Sequence, residues 1–176
     1  MKFACWVIML ALALGLTTAA RADEATSPEA FYGRFQGTGM ARDPSAIEFG
    51  FNKRDFDVEI GAAEGGFFVA WTTVSQSPTG KATKRQSTRI VFEPSARRGI
   101  YIEHAAAAAV PDGISWASIS GQVLTVRVLT ILDDGTYELQ SYQRSLTKDG
   151  LYLVFKSDRD GGLIRIVTAY LQKQAH

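Results

Sequence analysis

The chain has 176 residues, 19 Lys and Arg against 18 Asp and Glu, a formal charge of +1 and a single cysteine. That balance gives no electrostatic footprint for nucleic acid or an anionic membrane surface. The lone thiol, Cys5, excludes a disulfide framework and a thiolate metal cage.

Residues 1–22, MKFACWVIMLALALGLTTAARA, carry Lys2, then an apolar or small run over residues 3–16. They close on Ala20-Arg21-Ala22, with small residues at the −3 and −1 positions of a leader-peptidase site. The run is shorter than the roughly 20 residues that span a bilayer. The pattern predicts a signal peptide cleaved after Ala22, export to the periplasm or beyond, and no retained membrane anchor. Cys5 lies ahead of the apolar run, where a lipid anchor would not, and leaves with the leader. Removing 22 of 176 residues leaves 154, and losing Lys2 and Arg21 leaves 17 basic against 18 acidic residues. The mature chain is therefore expected to be cysteine-free, with stability from one hydrophobic core.

Residues 23–30 are polar and read as a flexible N-terminal segment, in which Ser27-Pro28-Glu29 starts one helical turn. The folded domain is expected over 31–173. Its opening, FYGRFQGTG at 31–39, combines Phe31, Tyr32 and Phe35 with Gly33, Gly37 and Gly39. Two-residue alternation then dominates. In RDFDVEI, Phe56, Val58 and Ile60 face one way and Asp55, Asp57 and Glu59 the other, which predicts a half-buried strand with a wet acidic face rather than a calcium site. FFVAWTTVS, STRIVFE and IYIEH follow as strands. Residues 104–116, HAAAAAVPDGISW, read as a long connection, because Pro111-Asp112-Gly113 stops any helix that the alanines begin. A meander of QVLTVRVLTIL, TYELQSYQRSL, LYLVFKS and LIRIVTAYL completes the chain, with Asp-Gly turns at Asp134-Gly135 and Asp149-Gly150 and an Asp-Gly-Gly turn at Asp160-Gly161-Gly162.

About nine strands on so short a chain must close or stack to hide their edges. Sequential hairpins favour closure. The expectation is an all-β domain: a single up-and-down antiparallel β-barrel of about eight to ten strands. The glycines of 31–39 permit the bend of the first strand, and its aromatic residues plug one end.

Here the sequence resembles the lipocalin and calycin group. Those barrels open with a short helical turn and a Gly-x-Trp, and an Arg or Lys late in the last strand packs over that Trp. Gly33-Arg34-Phe35 is the counterpart, with Phe35 in the aromatic place, and Arg165 in LIRIVTAYL is the candidate packing cation. The chain departs from the pattern in lacking that tryptophan and the long helix before the last strand. It is also similar to exported bacterial proteins of this build; that resemblance implies the fold and supplies no activity.

Chemistry-bearing patterns are few. Ser145-Leu146-Thr147-Lys148 matches the SxxK of Ser/Lys acylases, but that chemistry wants a helix turn and this segment runs from a strand into a hairpin. Gly113-Ile114-Ser115-Trp116-Ala117 lacks the final glycine and the strand-to-helix context of a nucleophile elbow. His104 has no HxH or HExxH partner. It shares a face with Ile100 and Ile102 and is a candidate ligand contact. No cofactor, metal or enzymatic activity is expected.

Aromatic residues on inward faces are the remaining signal. Phe67, Trp71, Phe92, Trp116, Tyr142 and Phe155 are candidates to line a cavity, and a barrel of this size either packs solid or holds one small ligand. Tyr142 and Arg144 share a face with Gln140, more polar than a plain core wants. The expectation is a lipocalin-like protein that binds a small apolar or amphipathic molecule inside the barrel. The alternative is an envelope interaction module with a filled core and an exposed patch near residues 105–116.

Overall fold

The structure, a computed structural model, describes residues 27–42, 52–76, 82–104 and 113–175; the expected leader lies outside them. Of the N-terminal segment expected over 23–30 the structure describes residues 27–30, where the expected helical turn is present: Pro28–Phe31 form one 3₁₀ turn with Ser27 ahead of it and Pro28 at its start. Proline's fixed φ suits that position, where its missing N–H is not needed. The turn delivers Phe31, fully buried, into the barrel end.

Ten strands follow: β1 Gly33–Arg42, β2 Asn52–Ala63, β3 Gly66–Gln76, β4 Ala82–Pro94 and β5 Ile100–Glu103, then β6 Gly113–Ser120, β7 Val123–Ile131, β8 Tyr137–Leu146, β9 Gly150–Arg159 and β10 Gly162–Lys173. Each pairs antiparallel with its sequence neighbour, and β1 pairs with β10 to close the cylinder. The fold is therefore the closed up-and-down barrel that the hairpin spacing predicts.

One strand, β6, takes up the end of the expected connection over 104–116, from Gly113 onward, while residues 105–112 lie outside the described residues. Its inward residues Ser115, Ala117 and Ile119 are buried. Two of the three are small and one is polar, so the alternation carries little hydrophobic contrast. The strand's parity turns Trp116 outward, opposite Ile102 and Arg127. This corrects the expectation that Trp116 faces inward and lines a cavity inside the barrel. Ser115 donates to the Glu103 carboxylate, so it belongs to a strand wall and not to a nucleophile elbow.

The seam between β1 and β10 depends on absent side chains. A Cβ on Gly37 would sit 2.1 Å from the Tyr170 carbonyl oxygen, and one on Gly39 would sit 2.6 Å from that of Thr168. Phe35 is buried and lies opposite Lys173 in register. The Lys173 ammonium is 5.8 Å from the Phe35 ring centre. Lys173, not Arg165, is thus the cation over the first-strand aromatic. Arg165 pairs with Ser157 near the start of β10, at the opposite end of the barrel.

The interior is graded along the barrel axis. At the end nearest the 3₁₀ turn it is apolar and packed: Phe31, Phe35, Ile60, Phe67, Phe92 and Leu151 are all buried. Phe67 meets Phe92 at 5.5 Å between ring centres and Tyr101 edge-on at 5.0 Å, a favoured aromatic geometry. The other end, where β1, β3, β5, β7 and β9 finish, carries the polar inward residues.

Candidate functional site

Strand parity builds the site. β8 sends Glu138, Gln140, Tyr142 and Arg144 inward in steps from the polar end toward the packed end, because alternate residues share one face. Trp71 arrives from β3 and Phe155 from β9. Tyr142 stacks at 4.7 Å on Trp71 and 4.8 Å on Phe155, so three of the sequence candidates form one aromatic layer across the barrel.

On the mouth side of that layer lies a cavity of about 130 Å³. Trp71, Tyr142 and Phe155 form its floor, Phe56 and Val167 its apolar walls, and Arg54, Gln140 and Arg165 its polar ones, with Thr73, Gln86 and Thr88 completing it from β3 and β4. On the packed side of the layer lies Arg144, its guanidinium carbon 5.4 Å from the ring centres of both Trp71 and Tyr142. It is 1% exposed, and its Nε and Nη1 have no hydrogen-bond partner. Burial depresses its pKa to about 10. Burial likewise pushes the Tyr142 phenol up to about 12.

The other polar groups of β8 are joined to one another. The Tyr142 hydroxyl donates to Gln140 Oε1 at 2.7 Å, and Gln140 Nε2 donates to Glu138 Oε1 at 2.9 Å. Ser157 Oγ donates to the same Glu138 oxygen at 2.7 Å, and Arg159 stands 3.7 Å from the other. Burial alone would raise the Glu138 pKa, but the bonds from Ser157 and Gln140, with Arg159 and Arg165 nearby, hold it below the usual carboxylate value. Arg54 differs: its Nε is buried with no hydrogen-bond partner. Burial first, and then repulsion from Arg165, depress its pKa.

The remaining candidates fall elsewhere. Phe67 and Phe92 belong to the packed end and do not line the cavity. His104 points to the outer face, where its Nδ1 pairs with the Glu93 carboxylate while its backbone N–H bonds Val91. Its face is the one it shares with Ile102, as expected, but that face is the outside. Ser145 lies opposite Val123 and Tyr152, one parity step from inward Arg144, and Lys148 sits in the turn beyond β8. They share no helix turn. Asp57 holds Arg34 in a two-pronged ion pair on the outer wall, at 3.1 and 2.7 Å.

Sequence reading missed Arg54, Phe56, Thr73, Gln86, Thr88 and Val167 as cavity residues, and it gave Arg165 another role. The signal was present in the parity: Thr73 follows Trp71 on its face, and Gln86 and Thr88 precede Ile90 on theirs. Carrying an apolar face onward into polar residues marks where a strand leaves the core for the mouth.

No family model matches the sequence, and no curated protein matches it. Among solved structures seven chains match. One is an S-type phycobiliprotein lyase from Guillardia theta, 13% identical, with a TM-score of 0.57 over 86% of this chain and 94% of that one. At that identity the likeness establishes the fold alone: a closed ten-strand barrel of the lipocalin-like kind.

Proposed function

We propose that this protein is an exported, lipocalin-like binding protein that holds one small amphipathic ligand at the barrel mouth and acts by binding, not by bond-making chemistry. The observation that carries the reading is the cavity above the Trp71–Tyr142–Phe155 layer, apolar in its floor and polar in its rim. Binding sites typically join an apolar lining to a few placed polar groups. Solid packing of the other end confines the ligand to this half of the barrel. At about 130 Å³ the cavity suits a compact molecule; an apolar cavity of about 150 Å³ takes a single benzene. Export rests on the leader pattern of residues 1–22.

The test is native mass spectrometry of the mature protein purified from its own cell envelope. A discrete bound mass is expected, lost in a folded Trp71→Ala variant. An apo mass that does not shift with any offered amphiphile would refute the reading.

A second reading has its own observation. Ile102 and Ile114 are 51% and 60% exposed on the outer wall, where with Ile100 and Trp116 they line an apolar groove. A surface of that kind suits a protein contact. Ile114→Asp would abolish such a contact and leave the mouth cavity unchanged.

A further inference from the structure

We infer that the ligand of the mouth cavity is a small monocarboxylate with a planar one-ring body, its acid group on Arg54 with Arg165 alongside and its ring on Trp71, Tyr142 and Phe155. This rests on the reading of the barrel as a ligand-binding protein and adds the chemical class of the ligand.

Charge comes first. Arg54 and Arg165 line the same cavity and repel each other. The nearby carboxylate, Glu138, already accepts bonds from Ser157 and Gln140 and faces Arg159 and Arg165, so it offsets Arg165 in part. Burial and repulsion from Arg165 instead dominate the surroundings of Arg54. Arg144 adds a third positive charge one layer below the floor, where water does not screen it. A neutral ligand would dry the cavity and leave the Arg54 Nε–H unpaired, which is costly for a charged donor. A carboxylate offers two oxygens in the plane of a guanidinium fork, the geometry arginine matches best.

Shape comes second. The floor is a tilted aromatic stack, and Phe56 and Val167 stand at its sides. A flat ring gains stacking and dispersion there. Long acyl chains are excluded from the interior below the floor, because Val69, Ile90 and Leu153 fill it. Arg144 lies behind the Trp71 and Tyr142 rings as the cavity sees them. Its charge draws their π-density away from the cavity, which lowers the repulsion an electron-rich carboxylate ring would otherwise meet.

The experiment is a titration of the mature Trp116→Phe protein, in which Trp71 is the reporter, with benzoate and, separately, with benzamide. Isothermal calorimetry on the same samples gives the affinities. Benzoate should bind at least about tenfold more tightly than benzamide, as a charge-assisted hydrogen bond implies, and added salt should weaken it. Arg54→Gln should lose that preference, whereas Arg54→Lys should keep part of it. Near-UV circular dichroism verifies that each variant is folded. Equal binding of the two probes, or full benzoate affinity in Arg54→Gln, would overturn the acid assignment and leave the barrel a binding protein for neutral rings. If neither probe binds but a co-purified molecule is found by native mass spectrometry, the ligand class is wrong and the binding function survives. If neither probe binds and the purified protein is apo, both fall.

Discussion

The guanidinium of Arg144 lies 5.4 Å from the ring of Trp71, fully buried, with two of its nitrogens unpartnered. Its two desolvated cation–π contacts, on Trp71 and Tyr142, return about 2 kcal/mol each, whereas burial of the ion costs several kcal/mol and each unpaired charged donor adds to that cost. Arg144 therefore weakens the fold it sits in. Replacing it with Met, of similar length and no charge, should raise the unfolding free energy by about 1–4 kcal/mol. Urea denaturation of the two proteins measures this. A loss of stability in Arg144→Met would show that the guanidinium is better satisfied than its geometry implies.

Glu138 makes the fold acid-sensitive. Its folded-state pKa lies below the unfolded value because Ser157, Gln140 and nearby arginines outweigh the effect of its burial. A carboxyl of this kind stabilises above its unfolded pKa of about 4.3, and that stability drains away as pH falls through the lower folded value. Glu138→Gln should flatten the stability profile below about pH 4.3 relative to the wild type. Parallel profiles in that window would assign the acid sensitivity to other groups.

Two glycines separate strain from clash. Gly135 has φ of +81° and open space where a Cβ would stand, so Gly135→Ala should cost only the left-handed penalty of about 1–2 kcal/mol. Gly37→Ala places its Cβ 2.1 Å from a backbone carbonyl of β10, which cannot swing aside. Its cost should reach or exceed the upper end of the ~1–3 kcal/mol typical of overpacking. Thermal unfolding of the pair decides, and equal midpoints would mean that the seam yields freely.

Phe31 tests the plug. It is the last residue of the 3₁₀ turn and has no exposed surface. Phe31→Ala should cost about 3–5 kcal/mol while leaving the affinity of the mouth cavity within twofold or so, since the packed layers between them include Phe67, Ile90 and Leu153. A large loss of affinity would tie the plug to the mouth.

The barrel was legible because its code is local. Alternation in RDFDVEI and Asp-Gly turns between β-branched runs fix strands and hairpins, and sequential hairpins fix the order round the cylinder. β6 was not legible, since Ser115 and Ala117 face inward and blur the alternation; Trp116 was misplaced with it. Arg165 was assigned to Phe35 on the expected position of a late cation, but register decides, and it gives that place to Lys173. The aromatic floor was legible in part: Trp71, Tyr142 and Phe155 were named, yet which of the inward aromatics sit beneath a cavity and which sit in solid packing depends on depth along the axis. Parity gives the face of a residue and says nothing of its depth.

Nine of the ten ladders join strands adjacent in sequence, and the seam of β1 with β10 alone joins the two ends of the domain. Local hairpins form before distant segments can meet, because closing a long loop costs entropy first. The cylinder should thus assemble as a curling ribbon that shuts last. Phe31 corks it, the Lys173 ammonium rides over Phe35, and the Gln174 amide clips to the Arg34 carbonyl at 2.8 Å. The same latch is the one place where the ring can be unhooked without tearing a hairpin. Amide exchange by partial opening should start there, at the edge farthest from the ligand mouth.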